Sequence, residues 1–488
     1  MKLILRGHDY RYAAEQMMLT LFPEERPGQG DNEAVLSLSR GNTWLTATAR
    51  LTWEGKKYTA TRRSPVTQLT GGLADDRVCQ RVLKLAFYDA GIKALGKEPP
   101  WGALTGVRPV KIPTKILLSG GTPLEATRLL EETYHVSPLR RQLAVRCAAE
   151  SAYAKESLAP EEISLYVGIP FCPSRCIYCS FVSAAVGKCL PLVEPFVDAL
   201  EKEIEATGKL LHDTGRVIRT VYMGGGTPTT LSAQQLDRVL TAMEGHLPLE
   251  RCTEFTVEAG RPDTITREKM TVLTAHGVDR VSVNPQSMND PILERMGRPH
   301  TAEDIRRAYG DVRESGSFAV NMDLIAGLPE DTPPGFAHSL AQVIDLAPEN
   351  ITVHTLALKK GSSLMERRSE LPTDGEVETM LNAAWDTLTR AGYIPYYLYR
   401  QKYMSGSFEN VGWAKPGFVS LYNIAMMEEL HTILALGGGG VTKLVWPDTG
   451  KIERVNNPKY PQEYIRDIHR ICDGKAALAD FLRQTKGG

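Results

Sequence analysis

The 488-residue chain lacks any hydrophobic run of the roughly 18 residues that a membrane span requires. Its first residues, MKLILRGHDYRYAAEQMM, hold neither an apolar signal core nor a small-residue cleavage site. An excess of charge is missing too. The 57 Lys+Arg against 58 Asp+Glu leave a formal net charge of −1, which gives no reason to expect nucleic acid as a partner. Cysteine is sparse, with 8 in the chain, and there are no repeats or low-complexity tracts. These absences predict a soluble, cytoplasmic protein with no membrane span, whose cysteines stay reduced instead of forming a disulfide framework. The composition, 42% hydrophobic and 24% charged, suffices for a large core, and the length suggests about three domains.

Residues 1–155 read as an N-terminal α+β domain of unassigned role. Short alternating runs at 34–38, 43–51 and 57–61 predict strands, and the period lengthens to helical from about 76 to 153. Trp101 to Lys111, broken by Gly102, Gly106 and Pro109, predicts an ordered loop. Residues 160–395 alternate strand and helix. Strands are expected at 164–169, 219–223, 253–257, 279–284, 318–324 and 351–356, with helices between them. Such repeats imply parallel strands with right-handed crossovers. Six units fall short of the eight in a closed barrel, so the fold class is α/β, a partial (β/α)6 barrel. Residues 396–488 are mixed α/β, expected to cover a substrate, with an aromatic stretch (Tyr393, Tyr396, Tyr397, Tyr399, Tyr403) and a glycine run from Gly437 to Gly440.

Three of the cysteines, Cys172, Cys176 and Cys179, follow the first barrel strand with C-x3-C-x2-C spacing. Thiolates are soft ligands that select zinc or iron–sulfur. A closed zinc site needs four ligands, and Cys189 is ten residues further on. A four-iron cube held by three thiolates leaves one iron open to a further ligand. A zinc site completed by a distant residue, or three core cysteines, are the alternatives. Further motifs recur at successive strand ends: Gly224-Gly225-Gly226-Thr227-Pro228-Thr229 after the second strand, Glu258 after the third, Gln286 after the fourth with Arg298 twelve residues later, and Asp323 in the fifth. The carboxyl-end rim is where parallel αβ barrels build active sites.

This set resembles the radical S-adenosylmethionine (SAM) superfamily. Within it, the set resembles the oxygen-independent coproporphyrinogen III oxidase family and its coproporphyrinogen-dehydrogenase, HemZ-like branch. The resemblance implies a 4Fe-4S cluster on Cys172, Cys176 and Cys179, with S-adenosyl-L-methionine chelating the open iron. It implies cofactor contacts from Gly224, Gly225, Gly226, Thr227, Glu258, Gln286, Arg298 and Asp323, and places Tyr166 beside the cluster or cofactor. Arg298 is expected to pair with the methionyl carboxylate. The implied partners are a tetrapyrrole substrate and a low-potential electron donor such as flavodoxin or ferredoxin. The implied chemistry is reductive cleavage of SAM to a 5′-deoxyadenosyl radical. That radical takes hydrogen from a propionate β-carbon of coproporphyrinogen III. Loss of carbon dioxide leaves a vinyl group, and two such events give protoporphyrinogen IX, as in anaerobic haem biosynthesis.

A tetracarboxylate should meet cations, for which Lys359, Lys360, Arg400, Lys402 and Lys415 are candidates, each equally readable as part of a solvated charged face. His354 reads as a cavity residue or a hydrogen-bonded core histidine, and Gly437 to Gly440 as a backbone approach to a flat macrocycle or a simple loop. Two positions depart from the well-understood oxidases. Gly168 stands where they carry His, and Phe181 where they carry a further Cys. Phe at the second position also occurs in the related haem chaperones. Two other functions therefore remain open, a haem-binding chaperone and a radical enzyme that methylates or opens haem.

Overall fold

The structure, a computed structural model, describes all residues except 180–183, 358–363, 365–370, 402–406, 448 and 487–488. Met1–Val145 and Arg146–Gly488 form two compact units, with the division inside the helix Pro138–Ser157.

In the first unit, β1 (Lys2–Arg6), β2 (Glu33–Arg40), β3 (Trp44–Trp53) and β4 (Lys56–Pro65) form one sheet in that order. Pairing of β1 with β2 is parallel and the remaining pairs are antiparallel. Alternation does the work expected of it: Leu45, Ala47, Ala49 and Leu51 of β3 all point to the buried face. That face packs on α1 (Arg11–Leu21) and α2 (Leu73–Leu95) through Met17, Met18, Phe87 and Tyr88. Strand β1 and helix α1 are additions to the three strands read from the sequence.

The second unit is built on six parallel strands: β5 (Glu162–Ile169), β6 (Val217–Gly225), β7 (Glu254–Glu258), β8 (Arg280–Ser282), β9 (Ala319–Ala326) and β10 (Asn350–Thr355). Helices α3 (Val193–Thr214), α4 (Ala233–His246), α5 (Arg267–Ala275), α6 (Ala302–Ser315), α7 (Pro333–Asp345) and α8 (Asp374–Arg390) alternate with them. Several start where the chain demands it: Ser232 with Gln235, Thr301 with Asp304 and Thr373 with Glu376 close reciprocal caps at the first turns of α4, α6 and α8. This is the partial (β/α)6 barrel.

The C-terminal part adds strands to both edges of the same sheet. Beyond β10 lie the antiparallel β11 (Ile394–Arg400) and β12 (Glu409–Ala414), and beyond β5 lie β13 (Ile433–Gly437), β14 (Val441–Val445) and β15 (Ile452–Asn456). The strand order is β11-β12-β10-β9-β8-β7-β6-β5-β13-β14-β15. The helix α9 (Leu421–Glu428) lies between β12 and β13. Among the described residues no helix is long and apolar enough to cross a membrane.

Gly437 and Gly438 of the glycine run have a structural task. Gly437, Gly168 and Gly224 lie side by side across β13, β5 and β6. A Cβ on Gly437 would sit 2.2 Å from the Gly168 carbonyl oxygen, and a Cβ on Gly168 would sit 2.6 Å from that of Gly438. The backbones are so close that no side chain fits, so the glycine at 168 and the glycine run require each other.

Candidate functional site

The rim opens into a cavity of about 410 Å³, within the usual range for small-molecule sites. Cys172, Cys176 and Cys179 line it, together with Gly225, Gly226, Thr227, Glu258, Gln286, Arg298, Asp323 and His354. Gly224 and Tyr166 do not. Tyr166 lies mid-strand in β5, with its ring stacked on Tyr222 at 6.4 Å between centroids and its hydroxyl 3.4 Å from where a Cβ on Gly225 would be.

The cysteine loop is docked by backbone and packing. Gly226 N–H donates to the Ile169 carbonyl at 2.8 Å and Thr227 N–H to that of Phe171 at 2.7 Å. A Cβ on Gly226 would lie 2.3 Å from the Phe171 oxygen, so this approach needs a glycine. Ile177 and Tyr178 pack on a buried cluster that includes Met296, Ile325 and Leu356, which anchors the other end of the loop.

The sulfurs sit among donors and positive charge. Thr227 Oγ1 is 3.6 Å from Cys172 Sγ. The guanidinium groups of Arg261 and Arg298 approach Cys176 Sγ at 3.9 and 3.8 Å. Both arginines are only 4% exposed, so their charge acts in a poorly solvated setting. Cations and N–H donors favour thiolate over thiol, the form that binds iron. Three thiols in one loop, met by Thr227, Arg261 and Arg298, form the kind of soft donor set that iron–sulfur clusters take. The donor set fits the cluster.

Arg298 has further commitments. Its N–H groups reach the carbonyls of Gly260 at 3.0 Å and Asn284 at 2.6 Å, Tyr178 Oη at 3.1 Å and His300 Nε2 at 3.3 Å. Burial, with the charges of Arg298 and Arg261, pushes the His300 pKa down to about 4, so a neutral imidazole accepts from Arg298. Its partners in the structure are these protein groups, which brace the cysteine loop. Pairing with a carboxylate would require exchange of one of them.

The carboxylates at the rim are set apart from each other. Burial pushes Glu258 up to about 7; the Tyr222 hydroxyl, 2.6 Å from Oε1, partly offsets this and the neighbouring Asp323 charge adds to it. Burial acts on Asp323 as well, but the neighbouring His354, with hydrogen bonds from Asn321 and Thr352, outweighs it and leaves its pKa below the ordinary value. His354 Nε2 lies 3.6 Å from Asp323 Oδ2. Asp323 sits inside β9 instead of at its end, with three strand residues after it.

Gln286 also departs from a strand-end position. Strand β8 stops at Ser282, and Gln286 lies in the following loop, bridged to Leu324 of β9. Its backbone is left-handed (φ +68°), a region non-glycine residues rarely occupy. Its buried Oε1 has no hydrogen-bond partner. A strained backbone that holds an unsatisfied polar atom in a cavity is a feature of ligand sites. Asn284 Oδ1, also in the cavity, is unsatisfied in the same way.

The far wall comes from the C-terminal part: Tyr397, Tyr399, Asn410, Asn423 and Met427. These residues, with Tyr222, Arg261 and Asn284, were not picked out as site residues from the sequence. Of the cationic candidates, Lys359, Lys360 and Lys402 lie outside the described residues, as does Phe181. Arg400 and Lys415 do not line the cavity: Arg400 is buried and donates to the Ser407 carbonyl, and Lys415 donates to that of Ala347.

A three-thiol loop and polar residues around the carboxyl-end rim of a partial (β/α)6 barrel define a radical SAM protein. Residues 166–342 match the model of the Radical SAM superfamily. The chain is 40% identical over 398 residues to the oxygen-independent coproporphyrinogen-III oxidase-like protein HemZ of Bacillus subtilis, covering 80% of this chain and 79% of that one. It is 31% identical over 306 residues to the heme chaperone HemW of Haemophilus influenzae, covering 62% of this chain and 76% of that one. Among solved structures, coproporphyrinogen III oxidase (HemN) from Escherichia coli shares the fold, with a TM-score of 0.53 at 24% identity over 65% of this chain and 72% of that one. The chain belongs to the oxygen-independent coproporphyrinogen-III oxidase-like family of the radical SAM superfamily, which uses a 4Fe-4S cluster and SAM.

Proposed function

We propose that this protein is an oxygen-independent coproporphyrinogen III dehydrogenase that converts two propionates to vinyls. The observation that carries this reading is one cavity in which three thiols, Glu258, Asp323 and the unsatisfied Gln286 face each other. When bound, the cluster and SAM supply the electron and the carbon radical that remove hydrogen from an unactivated carbon. The chain's own residues do the rest. Cys172, Cys176 and Cys179 hold the cluster. Arg261 and Arg298 stabilise the thiolate charge and fix the loop. Glu258 takes a cationic or hydroxyl donor of SAM, and Gln286 Oε1 gains the donor it lacks. Tyr397 and Tyr399 close the far side and exclude water from the reacting carbon. A flavodoxin or ferredoxin supplies the electron for SAM cleavage, and a separate one-electron acceptor takes the electron that leaves the substrate radical as carbon dioxide is lost and the vinyl forms.

The test is anaerobic incubation of the reconstituted protein with dithionite, SAM and coproporphyrinogen III. A tricarboxylic intermediate followed by protoporphyrinogen is expected; unchanged substrate beside reductive SAM cleavage overturns the substrate assignment. The HemW relatives favour a second reading, haem binding without turnover, for which stoichiometric haem capture by the same preparation would decide. Methylated or opened haem would point instead to a third chemistry.

A further inference from the structure

The N-terminal unit contains a cavity of its own, of about 330 Å³, between α2 and residues 103–112. Helix α2 lines it with Arg77, Arg81 and Lys84. Spacings of four and three place the three cations on one helical face, one turn apart, spanning about 10 Å. Like charges so placed repel. The usual remedy is a carboxylate between them, yet among the described residues no Asp or Glu lines the cavity. Arg81 Nη2 donates to Gln68 Oε1 at 2.7 Å and Lys84 Nζ to Thr105 Oγ1 at 3.1 Å, both neutral acceptors. Burial holds Lys84 below its ordinary pKa, with no carboxylate to counter it.

The facing wall is mostly apolar, though Thr105 and Arg108 also line it, and it is preformed. Leu104, Ile112 and Tyr134 supply its surface. Gly102 has φ +52°, and a Cβ there would fall 2.0 Å from the Tyr134 carbonyl oxygen, which also accepts from Ala103 N–H at 2.8 Å. The loop from Trp101 to Lys111 is therefore locked against residue 134, and its residues Ala103 to Gly106, Arg108 and Pro109 line the cavity.

We propose that this cavity binds an amphipathic polyanion, a small molecule with an apolar or aromatic body and two or more phosphate or carboxylate groups. The body lies against Ile112 and Tyr134, and the anionic groups meet Arg77, Arg81 and Lys84. The site is separate from the barrel chemistry and does not depend on the reading given for it.

Isothermal titration of the full-length, cluster-loaded protein with ADP, inorganic pyrophosphate and coproporphyrin III tests this. Saturable micromolar binding of ADP or of coproporphyrin III, weakened by added salt, is expected, and which of the two binds separates the phosphate source from the carboxylate source. Pyrophosphate, lacking a body, should bind more weakly. The Arg81→Glu and Lys84→Gln variants should each lose at least about tenfold in affinity, and Arg81→Lys should retain most of it. Unchanged iron content and SAM affinity verify that the variants fold. Binding of none of the three probes, pyrophosphate binding as tight as ADP, or equal affinity in the charge variants would overturn the proposal.

Discussion

Two glutamates in the barrel unit, Glu203 fully buried and Glu258 half-buried, are answered by the protein to different degrees. Glu203, on α3, is 0% exposed and accepts from Gly437 N–H at 2.8 Å, Tyr464 Oη at 2.6 Å and Asn457 Nδ2 at 2.8 Å, with Lys475 Nζ at 2.8 Å. Glu258, on the rim, has the Tyr222 hydroxyl and the Gly225 backbone on one side and the like charge of Asp323 on the other. A buried charge with a full set of partners ties elements together; here it fastens the C-terminal helices to α3 and β13. A carboxyl left partly answered, beside a glutamine whose Oε1 has no partner, is arranged for something that arrives.

The comparison can be broken from either end. At the rim the largest effect belongs to the thiols. Cys176→Ala should reduce bound iron and its broad visible absorbance to background, because a cluster ligand is gone. Alanine at Cys79, Cys147 or Cys472 should leave both unchanged. Iron retained in Cys176→Ala, or lost in any of the other three, would show that the ligands are misassigned.

Next comes Glu203→Ala, which strands Lys475 as an uncompensated buried charge. A loss of about 3–5 kcal/mol is expected, read as a lower thermal midpoint. Glu258→Gln should leave the midpoint unchanged or raise it at pH 8, since burial already disfavours that carboxylate. Equal losses in the two variants would erase the distinction.

Gly168→Ala comes third. The methyl would meet the Gly438 carbonyl at 2.6 Å, and backbone is harder to displace than a side chain. A loss of about 1–3 kcal/mol is expected, and an unaltered midpoint would contradict the close approach of β5 to the glycine run.

The smallest effect is in pH. The free-state Glu258 pKa, near 7, means that the carboxyl is largely protonated at pH 6 and ionised at pH 8. Binding of cationic SAM favours the ionised form, so affinity should fall as pH drops through 7, by about tenfold between pH 8 and pH 6. Glu258→Gln should remove the dependence. A flat profile in the unaltered protein would separate Glu258 from the cofactor.

Much of the barrel was legible in the chain. Six apolar runs spaced by helical stretches give six strands within a few residues, and the cysteine triplet and Gly224 to Thr227 are continuous in sequence, so they announce themselves. What was hidden depends on distant pairs. Arg261 reaches Cys176 across 85 residues, and Tyr399 lies 45 residues from His354, whose Nδ1 its hydroxyl meets at 3.5 Å. Gln286 was identified as a candidate, but its reversed backbone was not, because a glutamine in a left-handed loop has no local signature. The grouping of Arg77, Arg81 and Lys84 reads in sequence as an ordinary charged helix face. Only the folded loop 103–112 turns it into a cavity.

The central claim is that three thiolates hold a four-iron cluster whose unique iron is free to take SAM. Mössbauer spectroscopy of anaerobic, iron-57-reconstituted protein tests it most directly. The account predicts a 4Fe-4S spectrum in which one iron of the four changes its signal when SAM is added. A lone zinc at the cysteines, or a cluster whose four irons ignore SAM, would contradict it.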